Sequence, residues 1–109
     1  MPVIFTRYAQ QELEDAVRVY NLEYAGLGDR FKEEVRRAAL RIADYPKAWS
    51  VERGEVRKCL LHKFPYKLLY AMETDHVVVI AEAHQHRKPD YWVDRGCDEE
   101  VFLLEKIAF

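Results

Sequence analysis

Residues 84–92 read His-Gln-His-Arg-Lys-Pro-Asp-Tyr-Trp, and few stretches of the chain hold as much reactive chemistry. Three uses are open to such a segment. The first is metal binding. His84 and His86 would share one face of an extended chain, and His62 is a third imidazole. No Cys or carboxylate falls beside them at a zinc-like spacing. Polar side chains at the end of a strand explain the histidines better, so no metal and no other cofactor is expected. The second use is nucleophilic. Cys59 follows Lys58, and nearby positive charge lowers a thiol pKa. In a strand, alternation puts Lys58 on the opposite face, and cysteine is among the most buried residue types. Cys59 therefore reads as a small core residue. The chain has no Ser/His/Asp order, no glycine-rich phosphate loop and no HExxH helix.

The third use is binding. Arg57, Lys58, His62, Lys63, Lys67, His84, His86, Arg87, Lys88 and Arg95 form a basic set, interleaved with Tyr66, Tyr70, Tyr91 and Trp92. Cations pair with phosphates and aromatic rings stack on bases, which suits RNA. The same types dominate protein interfaces, where Arg57, Lys63, His86, Arg87, Tyr91 and Trp92 are the candidates. They also anchor a sheet edge structurally, with the Lys heads left in water. Interface and structural roles weigh about equally. RNA comes third because the chain is net acidic.

These side chains need a frame. Val3-Ile4-Phe5 is a short β-forming run, and Thr6 can cap a helix after it. Ala9, Leu13, Ala16, Val17, Tyr20 and Tyr24 recur at spacings of three and four, which is one face of an amphipathic helix. Gln11, Glu12, Glu14, Asp15 and Arg18 fall mostly on its wet side. Gly26-Leu27-Gly28 breaks the pattern, since glycine reaches the positive φ of a tight turn. A second helix is expected over about residues 29–44, with Phe31, Val35, Ala38, Ala39, Ile42 and Tyr45 as its apolar stripe. Pro46 ends it. So short a connection makes an antiparallel helix hairpin.

Residues 47–55 read as a loop. Strand-like runs follow at 56–62, 66–72 and 77–83, and their short separators imply antiparallel pairing. The order β-α-α-β-β-β is an α+β domain: an N-terminal strand, a helix hairpin and a three-stranded meander whose apolar face the hairpin covers. In the tail, 93–109, Asp98-Glu99-Glu100 suits a helix N-terminus, and an edge strand is nearly as good a fit. Seven of the nine residues from Val101 to Phe109 are apolar, so the tail must dock on the sheet or support self-association.

Composition bounds the rest. The chain has 109 residues, half of them hydrophobic and 33% charged, which fits one compact domain. No apolar run suffices to cross a membrane. The N-terminus does not read as a secretory signal, and two cysteines do not make a multi-bridge scaffold. A reducing cytoplasm is the expected setting. Net charge is −2, divided as −1 over residues 1–55, +2 over 56–92 and −3 over 93–109. That balance argues against strong direct nucleic-acid binding.

Four stretches together resemble the ParE/RelE superfamily of type II toxins, and within it the ParE-like, plasmid-stabilisation branch. They are Gly26-Leu27-Gly28-Asp29-Arg30-Phe31, Ile42-Ala43-Asp44-Tyr45-Pro46, Phe64-Pro65-Tyr66 before a strand that holds Tyr70, and residues 84–92. The resemblance covers about residues 3–92, so 1–92 is expected to be the toxin domain and 93–109 a C-terminal extension that departs from the family's pattern. It implies a small cytoplasmic toxin neutralised by a cognate antitoxin. ParE members block DNA gyrase by protein contact, whereas RelE members cleave mRNA on the ribosome.

Cleavage of RNA needs a base, cations for the phosphorane charge and an acid for the leaving oxygen. By resemblance to RelE, Tyr91 matches the C-terminal tyrosine and Lys67 stands where an arginine is expected. Leu60 and Gln85 replace two of the expected cations. A nuclease would then use Lys67, His84, Arg87 and Tyr91. Loss of two cations favours the gyrase-directed, non-enzymatic reading. A toxin-fold protein that only binds an antitoxin is the third.

Overall fold

The computed structural model describes residues 1–95 and 101–103. Strand β1 (Val3–Thr6) leads into helix α1 (Arg7–Glu23), and α2 (Leu27–Asp44) returns antiparallel to it. Strands β2 (Val51–Arg53), β3 (Val56–Leu60), β4 (Tyr66–Met72), β5 (Val77–His84) and β6 (Val101–Leu103) complete a six-stranded sheet. The fold class is the α+β arrangement expected, but the sheet is larger than a three-stranded meander. Part of the expected loop 47–55 is β2, which pairs with β3 across an irregular register. β1 pairs parallel to β5, and β6 pairs antiparallel to β1. The strand order is β2-β3-β4-β5-β1-β6. The expected helix start at residues 98–100 lies outside the described residues.

Local chemistry explains each boundary. The Thr6 hydroxyl accepts from the Ala9 amide at 3.2 Å, which caps α1. The same hydroxyl donates to the Ile80 carbonyl at 3.2 Å and so ties the cap to β5. Gly26 sits at φ 88° immediately before α2, a conformation costly to residues with a Cβ. Gly28 lies inside α2 and not in the turn. Its amide donates to Asn21 Oδ1 at 2.8 Å, and a Cβ there would lie 2.2 Å from the Val17 carbonyl oxygen. The helices close to contact only because that position is bare.

The hairpin covers one face of the sheet. Phe5, Leu13, Phe31, Val35, Ile42, Cys59, Leu68, Tyr70, Val77 and Val79 are buried between the layers. Cys59 is a core residue, and burial pushes its thiol pKa up. Tyr70 donates to the Pro46 carbonyl at 2.6 Å, which fastens the end of α2 to β4. Phe31, Phe64 and Tyr66 lie ring to ring with Tyr20. Two of the stretches that carry the family resemblance therefore touch.

The opposite face has its own small cluster. Leu69, Ala81 and Ala83 pack under Trp92, with Val56, Ile80 and Tyr91 at its margin. Two faces exchange roles along β5. Val77 and Val79 face the helices, whereas Ala81 and Ala83 face Trp92. The cause is a β-bulge: Tyr70 pairs with Val79 and Leu69 with Ala81, so Ile80 is the extra residue. One added residue reverses the alternation beyond it. Glu82 and His84 are thereby turned to the helix side.

Candidate functional site

The bulge lies where β5 loses its neighbour. β1 pairs with β5 only from Val77 to Val79, because the chain turns into α1 after Thr6. The outer edge of β5 from Ile80 onward would otherwise present bare backbone groups. Side chains satisfy them. The Glu82 amide donates to Glu12 Oε1 at 3.0 Å, and Arg95 Nη1 donates to the Ile80 carbonyl at 3.0 Å. An acceptor from α1 and a donor from the C-terminal segment stand in for the missing strand.

These two side chains also bind each other. Arg95 Nη1 and Nη2 lie 2.9 and 3.1 Å from the two oxygens of Glu12, a bidentate pair. The Tyr91 hydroxyl donates to Glu12 Oε2 at 2.5 Å. Arg87 stacks 4.0 Å from the centroid of the Tyr91 ring, and Arg95 lies 4.9 Å from the same ring. Burial, then the hydrogen bond to Glu12, push the Tyr91 phenol well above its ordinary range. The phenol is the proton donor in its bond to Glu12, and the raised pKa favours that protonated form.

A cleft of about 370 Å³ opens beside this cluster, between α1 and β5. Glu12, Asp15, Val19, Tyr20, Glu82 and Arg87 are among its walls. Glu82 is 2% exposed, and neither of its carboxylate oxygens has a hydrogen-bond partner among the described residues. Burial first, and the nearby charge of Glu12 second, raise its pKa well above that of an ordinary carboxylate.

The structure places the residues singled out in the sequence as follows. Lys67, His84, Arg87 and Tyr91 do come together around one small pocket of about 90 Å³. Lys67 is committed there to Glu52, 3.0 Å away, and Tyr91 to Glu12. Trp92 is 7% exposed and its ring belongs to the far-face cluster. Arg57 donates to the Trp49 carbonyl at 2.6 Å from the helix side of β3. Lys63, His86 and Arg87 are exposed. The Gln85 amide donates to the Pro65 carbonyl at 2.8 Å, which brings the β3–β4 turn and the segment after β5 to one end of the sheet.

The His84 and His86 rings lie 5.3 Å apart, and His84 Nδ1 accepts from the His86 amide at 3.0 Å. Among the described residues, no three His, Cys, Asp or Glu side chains are grouped so as to hold a metal ion.

Glu12 and Glu82 are the participants that sequence reasoning missed. Glu12 reads as one more acid on the wet side of α1. Glu82 carried a signal: it is the lone charge in the run Val-Val-Val-Ile-Ala-Glu-Ala. A charged side chain is rarely buried without a reason.

The sequence model of the family described as the ParE toxin of the type II toxin–antitoxin system parDE matches residues 3–89. No curated protein matches the chain. Among solved structures, one described as a chromosomal ParDE TA system from P. aeruginosa is similar with a TM-score of 0.69 and 12% identity. That match covers 77% of this chain and 95% of the other. At such low identity it speaks for the fold. The family match spans both helices and every strand from β1 to β5, and on that ground the chain belongs to the ParE toxin family of type II toxin–antitoxin systems.

Proposed function

We propose that this chain is the toxin of a toxin–antitoxin pair, that it inhibits DNA gyrase by protein–protein contact without catalysing a reaction, and that a cognate antitoxin neutralises it in the cytoplasm. Family membership supports the toxin role. The observation that carries the non-enzymatic part is the Tyr91–Glu12 hydrogen bond. It consumes the phenol that a nuclease would use, while Lys67 is spent on Glu52. The exposed Lys63, His86 and Arg87 at the adjoining end of the sheet form the contact surface. Arg57, Tyr91 and Trp92 support it from within.

Among the described residues, no helix is long and apolar enough to cross a membrane. A purified gyrase supercoiling assay tests the reading, with ribosome-dependent mRNA cleavage measured beside it. Inhibition of supercoiling without cleavage is the expected result, weakened by the pair Lys63→Glu and Arg87→Glu. Cleavage without gyrase inhibition would reverse the ranking.

One observation favours the mRNA endoribonuclease as a second reading: Lys67, His84, Arg87 and Tyr91 line a common pocket. Its 90 Å³ is small beside the ~300–1,000 Å³ of typical ligand sites. Inactivity in both assays, with an antitoxin still bound, would leave a toxin-fold protein that serves only as an antitoxin ligand.

A further inference from the structure

We propose that the cleft between α1 and β5 is a receptor for a guanidinium side chain carried by a partner polypeptide. The first observation is the unpartnered carboxylate. Glu82 lies in the wall of the cleft, almost wholly buried, with both oxygens lacking a partner among the described residues. A buried polar group left unpaired is costly, and a charge more so. Such a group at the wall of a cleft, its oxygens screened from water, is what a ligand entering the cleft would complete.

The rest of the cleft selects the ligand. Glu12 is already paired with Arg95, so Asp15 (bridged to the exposed Arg18), Glu23 and Glu82 set its charge, against Arg87, which is stacked on Tyr91. The acids do not converge on a point, as a metal ion would require. They are spread along a wall shared with the Tyr20 and Tyr66 rings. A planar cation with several donors, able to pair with a carboxylate and stack on an aromatic face, matches that layout better than a compact ammonium.

The surroundings point to a polypeptide as carrier. Val19 is 50% exposed on the cleft wall, and Leu22, one turn further along α1, is 81% exposed. An arginine flanked by apolar residues on an amphipathic segment would meet the acids and this apolar strip together. The inference rests on the antitoxin reading only for who carries the arginine.

Amide NMR shifts of the full chain test it, titrated with N-acetylarginine amide and with its neutral isostere N-acetylcitrulline amide. The arginine compound should shift the amides of Glu82 and His84 saturably, with citrulline at least about tenfold weaker, as expected for loss of a charge-assisted bond. Glu82→Gln, which keeps the shape, should weaken arginine binding by a similar factor while other amides stay in place. The pair Asp15→Asn and Glu23→Gln at the rim should weaken it too. An acetylated peptide with leucines flanking one arginine should bind more tightly than the amino acid.

Equal response to arginine and citrulline, indifference to all three substitutions, or the same shifts with magnesium chloride would overturn the proposal. No gain from the leucine flanks would overturn the polypeptide carrier. A chain that binds arginine yet leaves gyrase untouched would keep this inference and remove the gyrase reading, so the two fail separately.

Discussion

The Tyr91 hydroxyl donates to Glu12 Oε2 across 79 residues of sequence, and through that bond the C-terminal segment is fastened to the first helix. Glu12 accepts from Tyr91, from both terminal nitrogens of Arg95 and from the Glu82 amide. One side chain thus holds α1, the bulged end of β5 and residues 91–95 together.

Glu12→Ala should destabilise the fold more than Tyr91→Phe does. The alanine leaves Arg95, with only 13% of its side chain exposed, and the Glu82 amide without their acceptor. A cost of about 2–4 kcal/mol is expected, against about 1 kcal/mol for the lost phenol hydrogen bond. Urea unfolding of the single and double variants measures both. Strict additivity would mean that the two groups are not coupled.

Glu82 makes stability fall as pH rises. Its folded-state pKa is raised by burial and by Glu12, so the folded state holds a proton that the unfolded chain releases sooner. The associated stability is fully present below the ordinary carboxylate value and is lost as pH rises through the raised one. Glu82→Gln should therefore raise the Tm of the free protein, with a larger gain at pH 8 than at pH 4. Parallel melting curves for the two proteins across that range would refute the buried, unpaired carboxylate.

Gly28→Ala should separate the helices. The added methyl would meet the Val17 carbonyl and the Asn21 side chain, both of which would have to move. Overpacking of this kind costs about 1–3 kcal/mol. Gly54→Ala is the matched control: beyond its chain neighbours, no described residue lies within 4 Å of its Cβ position, although its φ of 57° carries a modest strain of its own. A denaturation midpoint no lower for Gly28→Ala than for the control would sink the close-approach argument.

Deletion of residues 97–109 should uncover the edge of β1 that β6 pairs with, from Ile4 to Thr6. A bare strand edge invites pairing with another chain. The truncated protein should melt at a lower temperature and self-associate more readily in sedimentation. Unchanged melting and unchanged oligomeric state would show that the extension adds nothing to the domain.

Much of the architecture was legible from periodicity. The apolar stripes, the Thr6 cap and the Pro46 stop mark the helices through local rules, although Tyr24 and Tyr45, expected to close the two stripes, are exposed C-cap residues. The strand 66–72 stands where alternation and its flanking turns put it. Cys59 was legible as core because Lys58 alternates away from it. The short strand β2 was not legible. Val-Glu-Arg has little intrinsic β signal, and it is a strand only because β3 offers it an edge.

The site itself was decided by tertiary structure. The aromatic and basic character of residues 84–92 stands in the sequence, but not which of those groups would be free. Trp92 is consumed by the far face of the sheet, and Tyr91 by a carboxylate 79 residues away. The acidic cleft depends on one extra residue in β5. By plain alternation Ala81 and Ala83 would face α1, and Glu82 would point away from it. The bulge at Ile80 reverses that order. Composition and spacing determine which elements form, because those preferences are local. Register and side-chain partners are settled by packing between distant segments, and that packing put Glu12, Glu82, Tyr91 and Arg95 in one place.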